Sequence, residues 1–293
     1  MPAIAAISNA LLSGDQDSIS LYYNNDSAQL SLAIKNAKDD KILDPEIWAS
    51  SLDDYPGYIF NPSEIAGGTY NNVNFVFAIT TPRLTGTATI ATVNQVSVVS
   101  PIYKKIDTTS LANKTIAFSS SQNNAWLYYL DTTATNGVSL QEWDLQNSTK
   151  QPFPMLEDIT LNSSLAAYAD ELAVQRFVIY QEGNQNHLKE FNVTLQEAYD
   201  ISNTDDARPN TSVAVVLNFG ITYLYYYDYS RNLRRITKIK GEWGASEPVP
   251  NSDKVGVSQL SVTVTDGFNN VFYVAKDNTA GTFTIVRDPV VPQ

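Results

Sequence analysis

The stretch "NHLKEF" (residues 186–191) sets an imidazole, an amine and a carboxylate close together as His187, Lys189 and Glu190. Such groups donate and take protons, and a guanidinium such as that of Arg235 steadies developing negative charge. A further carboxylate, Glu142, stands in "LQEWDL". Other chemistry is narrowly bounded. His187 is the single histidine and cysteine is absent. That removes thiol nucleophiles, disulfides, Cys-held zinc and any zinc centre with two histidines. A serine triad would need His187, and no G-x-S-x-G elbow accompanies it. There is no P-loop and no dinucleotide fingerprint, and turns such as "NTDD" lack the spacing of a calcium loop. No metal and no cofactor is expected. Proton transfer, hydrogen bonding and aromatic contact remain.

The chain around these groups has 293 residues, 43% of them hydrophobic, enough for a large core. Its net charge of −12, from 19 basic and 31 acidic residues, repels phosphate backbones and anionic lipid, so neither nucleic acid nor a membrane surface is an expected partner. No apolar run is long enough to span a bilayer. The opening "AIAAISNALL" lacks a basic flank and reads as a strand, not as a signal peptide. Six N-x-S/T sequons, at Asn25, Asn113, Asn147, Asn162, Asn192 and Asn210, suggest a glycoprotein of the secretory pathway or a secreted one.

What positions the polar groups is a repeat. The apolar-aromatic stretches beginning at Leu21 ("LYYNN"), Phe75 ("FVFAI"), Leu127 ("LYYLD"), Val178 ("VIYQE"), Leu224 ("LYYYD") and Val271 ("VFYVA") follow one another at intervals of 54, 52, 51, 46 and 47 residues. A strand of small and β-branched residues precedes nearly every copy, as in "AIAAIS", "SLAAYAD" and "SVAVVLNF". A turn rich in Asn, Asp or Gly follows, and then an alternating strand such as "LSLAI" or "HLKEF". Period-two alternation bounded by turn residues marks hairpins. Six units of three or four short strands predict an all-β, six-bladed β-propeller of about 50 residues per blade, one domain over residues 1–293. The small first strand lines the crowded channel, and the rings of the second wedge between blades. Helical signal is weak, with a turn or two expected in "LQEAYDIS" and "DPEIWASSLDD". The chain is expected to close by pairing of its N- and C-terminal segments within one blade or adjacent blades.

The blade grammar of "AAIS…ISLYYNN…LSLAI" and of "AAYADELAVQRFVIYQEGNQNHLKEF" resembles the fungal fucose-specific lectins over the whole chain. That resemblance implies a six-bladed propeller with sugar sites between blades, each held by an Arg of the second strand, a Glu of the third and a ring from the next blade. The positions that match the Arg are Ser20, Asn74, Trp126, Phe177, Tyr223 and Asn270, so no blade keeps it. Arg176 is one residue off register and points to the other face. The positions that match the Glu are Leu32, Glu142, Glu190, Arg235 and Ile285, with blade 2 unassigned. Fucose affinity is therefore not expected.

Trp126, Phe177 and Tyr223 replace the Arg in three consecutive blades, and Glu142, Glu190, Lys189, His187 and Arg235 supply polar points beside them. Two readings follow. The chain is similar to the diverged lectin-like propellers of fungal natural-product clusters that act as cofactor-independent hetero-Diels–Alder cyclases, joining a tropolone-type quinone methide to a terpene polyene. In that reading Trp126, Phe177, Tyr223 and Glu142 bind small apolar or aromatic substrates, and His187, Arg235 and Glu190 supply donors and a proton relay. The alternative is a carbohydrate-binding protein of altered specificity. A homodimer is compatible with either.

Overall fold

Alternating strands joined by Asn-, Asp- and Gly-bearing turns fold as hairpins, and here they stack into six antiparallel sheets set as blades around one axis. The computed structural model describes residues 3–8, 18–24, 29–36, 46–47, 57–82, 91–132, 137–153, 156, 159–172, 174–183, 185–265, 267–278 and 282–290. Blade 1 holds Ile4–Ser8, Ser18–Asn24, Leu30–Asn36 and Glu46–Ile47. In blade 2, Gly57–Ile59 and Ile65–Tyr70 both flank Val73–Pro82, followed by Asn94–Ser100 and Lys104–Thr109. Blade 3 runs Ile116–Ser120, Ala125–Thr132, Val138–Asp144 and Thr149–Phe153. Blade 4 runs Ala166–Asp170, Gln175–Gln181, Leu188–Asn192 and Glu197–Asp200. Blade 5 holds Ala214–Asn218, Ile221–Tyr227 and Leu233–Ile239, with Glu242–Trp243 and Glu247–Pro248 on its outer edge. Blade 6 contributes Ser261–Thr265, Phe268–Tyr273 and Thr284–Pro289. The "LQEAYDIS" stretch, where a helical turn is expected, contains the outer strand of blade 4: hydrogen bonding to the neighbouring strand overrides local helix propensity.

The inner strands meet around the channel, each touching the inner strand of the blade on either side. Crowding there demands small side chains, and Ala5, Ala66, Ala117, Ala166, Ala214 and Ser261 occupy matching places along its wall. The second strands carry the core. Side chains alternate between the two faces, so Tyr128 packs into the gap toward blade 4 while its neighbour Tyr129 packs into the gap toward blade 2. Each of the six gaps holds one apolar cluster among the described residues. Fully buried rings such as Tyr128, Tyr129 and Tyr226 contribute on the order of 2 kcal/mol each from burial.

Among the described residues, closure follows another route than strand pairing. Blades 1 and 6 are each built from a contiguous stretch of chain, and side chains join them. Gln259 Oε1 accepts from the Ile4 N–H at 3.0 Å and from the Ile65 N–H at 3.1 Å, while its Nε2 donates to the Ile65 carbonyl at 2.7 Å. Ser261 and Thr263 accept from the Ala6 and Ser8 N–H groups at 2.9 and 3.2 Å. The same device recurs between other blades. Thr115, Ser164 and Ser212 accept from the N–H of Leu165, Val213 and Leu260 at 3.0, 3.2 and 2.9 Å, each reaching the next blade.

Glu64 is the charged member of this belt. Thr115 donates to its Oε2 at 2.6 Å and Ser164 donates to its Oε1, tying blade 2 to blades 3 and 4. Burial outweighs these donors and pushes the carboxyl up to about 7. The folded state therefore holds this proton more tightly than the unfolded chain. The advantage is complete below an unfolded value near 4.5 and is lost as the pH rises through about 7. Between pH 5 and 8 the unfolding free energy should fall by about 2–3 kcal/mol through this group. Glu64→Gln, of the same shape and uncharged, should flatten most of that slope in denaturant titrations. An unchanged slope would assign the pH dependence elsewhere.

Candidate functional site

Strand register defines what faces each gap. Opposite Ile7, Gly68, Ser119, Tyr168, Val216 and Thr263 of the inner strands stand Ser20, Phe75, Trp126, Phe177, Tyr223 and Asn270. Blade 2 thus presents Phe75, not Asn74. Two residues further along, Tyr22, Phe77, Tyr128, Ile179, Tyr225 and Phe272 pair with Leu32, Val98, Glu142, Glu190, Arg235 and Ile285 on the third strands. The unassigned position in blade 2 is Val98.

Four successive gaps contain a carboxylate, a cation from the adjoining blade and a tyrosine hydroxyl. Between blades 2 and 3, Asp107 pairs with Lys150 at 2.8 Å and accepts from Tyr129. Between blades 3 and 4, Glu142 lies 3.5 Å from the Arg176 guanidinium and accepts from Tyr128 at 2.8 Å. Between blades 4 and 5, Glu190 accepts from Lys238 and from Tyr168, both at 2.6 Å. Between blades 5 and 6 the charges change sides: Arg235 of blade 5 donates to Asp288 of blade 6 at 2.8 Å, and Tyr225 donates to the same carboxylate at 2.6 Å. Burial raises the Glu142 carboxyl against the pull of Arg176. Burial also raises Asp107, but Lys150 and Tyr129 together bring it below its usual range. For Arg235, burial is outweighed by Glu247 and Asp288, which hold the cation more firmly.

These partners fill the gaps where open pockets are expected. Phe177 is buried, stacked on Tyr168 with 4.8 Å between ring centroids, and Lys238 Nζ lies 4.5 Å above it. Tyr223 is fully enclosed between blades 5 and 6. Glu190 belongs to the gap between blades 4 and 5, and Arg235 to the next gap. His187 stands at the start of the third strand of blade 4, where its carbonyl accepts from the Glu182 N–H at 2.9 Å. Lys189 bridges Glu182 and Asp200 at 3.4 and 3.5 Å. The structure therefore does not gather His187, Glu190 and Arg235 at one point, whereas it does gather Trp126 and Glu142.

Those two meet Arg176. Because its side chain leaves the opposite face of its strand, Arg176 enters the gap toward blade 3, and its guanidinium carbon lies 4.7 Å from the Trp126 ring centroid, in cation–π contact. Among the described residues, Trp126 Nε1 and Arg176 Nε have no hydrogen-bond partner. Both residues line a cleft of about 460 Å³ between blades 3 and 4, within the size range of small-ligand sites. Ser121, Gln122, Asn123, Asp170, Glu171, Gln175 and Thr194 give its walls hydroxyls, amides and carboxylates, and Ala169 and Val174 add apolar surface. Period-two alternation was the signal for Arg176: an off-register cation faces the preceding gap, where Glu142 waits. A second cavity, about 320 Å³, lies at the channel end that contains Glu64, while the space lined by the inner strands amounts to about 90 Å³.

No protein-family model matches the sequence, and no curated protein does. Solved structures share its fold. The fungal lectin of Aleuria aurantia, a six-bladed propeller that recognises fucose, superposes with a TM-score of 0.65 at 14% identity, covering 99% of this chain and 97% of that one. AofleA from Arthrobotrys oligospora gives 0.64 at 12% identity, covering 99% and 86%. The BP39L lectin from Burkholderia pseudomallei gives 0.63 at 14%, covering 96% and 80%. The architecture is therefore that of the six-bladed lectin propellers.

The ion pairs are tested at the gap farthest from ambiguity. Asp288 is fully buried beneath Arg235, so Asp288→Ala strands a cation and should lower the unfolding free energy by about 3 kcal/mol. A loss under about 1 kcal/mol in chemical denaturation would show that Glu247, which also accepts from Arg235 at 2.8 Å, holds the cation alone.

Proposed function

We propose that this protein binds carbohydrate, in the manner of a lectin, at the cleft between blades 3 and 4. The observation that carries the reading is the meeting of Trp126 and Arg176 on the wall of an open cleft of ligand size, with Glu142 paired to Arg176. A sugar ring offers an apolar C–H face and pairs of hydroxyls. An aromatic ring receives the first, and a guanidinium fork beside a carboxylate receives the second. Gln122, Asn123, Gln175 and Thr194 extend the polar wall. The lectins that share the fold add support. Since Arg176 reaches the gap from the opposite blade, the donor approaches from another side than in the fucose lectins that the sequence resembles, and a sugar other than fucose is expected. Secretion and glycosylation accord with this reading, and of the sequon asparagines Asn147, Asn162 and Asn210 are exposed. Among the described residues no helix is long and apolar enough to cross a membrane.

The second reading, a hetero-Diels–Alder cyclase, is favoured by one feature of the same cleft: the Trp126 ring and Ala169 form an apolar wall beside a guanidinium able to donate to a carbonyl oxygen. In this reading Arg176 takes the donor role, because Arg235, Glu190 and His187 lie outside the cleft. Phe177 and Tyr223 are enclosed by neighbouring blades and present no wall to a substrate, which is why the carbohydrate reading stands first.

A glycan array followed by titration calorimetry tests the proposal. The wild type should bind at least one glycan class, and Trp126→Ala should weaken it about tenfold or more, the ring supplying both area and stacking. A folded protein that binds no glycan, or a Trp126→Ala variant that binds as well as wild type, would sink it. Acceleration and stereocontrol of a quinone methide–polyene cycloaddition over the reaction in water would favour the second reading.

A further inference from the structure

Val174 has a left-handed backbone, with φ at +53°. β-branched side chains are disfavoured there. In the matching hairpin turns the left-handed positions belong to Asn71 and Asn72 in blade 2, Phe219 and Gly220 in blade 5 and Gly267 in blade 6. Packing does not account for the strain. Val174 is 79% exposed, and Leu172 on the same turn is 92% exposed. The turn is nevertheless pinned. The Gln122 N–H of blade 3 donates to Glu171 at 2.7 Å, and the Leu172 N–H donates to Asp170 at 3.0 Å. Val174 lines the rim of the cleft that contains Trp126 and Arg176. Strained backbone clusters at ligand-binding sites, and the strain at Val174 stands on the rim of a cleft.

We infer that the cleft takes a ligand with an aryl or alkyl substituent, which lies on Val174 while the polar part of the ligand meets Arg176. This rests on the carbohydrate reading and narrows it: the ligand class is a glycoside carrying an apolar aglycone. The cleft is large enough for more than a single sugar ring. Leu172, next to the rim, extends the apolar surface outward, so a longer substituent gains more contact than a short one.

Three probes separate this inference from the reading beneath it. Methyl glycosides report the sugar alone, phenyl and n-octyl glycosides of the same sugar report sugar plus substituent, and N-phenyl-1-naphthylamine reports an apolar site without any sugar. For the wild type, phenyl and octyl glycosides should bind about tenfold more tightly than the methyl glycoside, the gain expected from covering one valine-sized apolar surface. Val174→Asn and Val174→Gly, both suited to the left-handed backbone, should bring that ratio toward one, with folding checked by circular dichroism. Trp126→Ala should weaken all the glycosides together. A ratio near one in the wild type, or a ratio that survives both Val174 variants, overturns the inference and leaves the carbohydrate reading standing. If no glycoside binds but the naphthylamine is captured and Val174→Asn abolishes its fluorescence gain, the apolar subsite stands and the carbohydrate reading falls. Failure of every probe overturns both.

Discussion

Six inner strands converge on one axis, and each leaves backbone N–H groups that no strand of its own blade can reach. The rest of the molecule depends on how those donors are met. Short hydroxyl side chains and one amide do it, each leaning from just before the inner strand of one blade onto the first residues of another: Thr115, Ser164, Ser212 and Gln259. The solution works only if the side chains along the wall stay small, hence the alanines, and only if the acceptor projects at a fixed height on every blade. That height sets the level of the second strands, and with it the plane in which Tyr128, Tyr225 and their counterparts meet their carboxylates. An unmet buried N–H costs about 1–3 kcal/mol, so the belt ranks beside any single aromatic wedge in what it contributes.

The wedges raise a second difficulty, since gaps between diverging sheets widen outward. Aromatic rings fill the inner part. Farther out, the chain uses ion pairs whose cations rest on those rings, as Lys238 does over Phe177 and Arg176 over Trp126. A cation stacked on a ring loses less on leaving water than a bare one, and a tyrosine hydroxyl adds a hydrogen bond to each carboxylate, on the oxygen opposite the cation in Glu142 and Glu190 and on an oxygen shared with it in Asp107 and Asp288. The gap between blades 3 and 4 differs in its looser pair, at 3.5 Å, and in the cleft that opens beside it.

Much of this was readable in the chain. Leu-Tyr-Tyr at even spacing set the blades, and the five third-strand positions taken from the lectin resemblance, from Leu32 to Ile285, share one register position in their blades. Blade 2 slipped by one residue because "NNVNFVF" alternates plausibly in two registers and its pairing shifts at Val76–Phe77. The state of the gaps was not readable, because it is settled by side chains from the following blade. Lys238 and Asp288 lie dozens of residues from the carboxylate and the guanidinium that they meet, and alternation along one strand says nothing of its neighbour's length or charge. The sequons carry a similar lesson. Asn25 lies outside the described residues, but Asn113 and Asn192 are buried and bend the chain through their own side chains, accepting from the Thr115 and Thr194 N–H groups at 3.0 Å. The hydroxyl residue that completes the sequons at Asn113, Asn162 and Asn210 is a member of the belt. Those N-x-S/T triplets have a reason to exist in the fold whether or not any sugar is attached.

The junction of blades 1 and 6 has a further implication. Each of the two is a contiguous piece of chain, and the contacts that seal them, from Gln259, Ser261 and Thr263, are of the same kind as those joining blade 3 to blade 4. Among the described residues no strand is lent from one end of the chain to the other, so the seam resembles the other interfaces of the ring. A circular permutant whose chain begins at blade 2 or blade 4, with the old ends linked, would face the same set of hydrogen bonds in a different order. Which blade is made first is then a property of the reading frame and not of the ring.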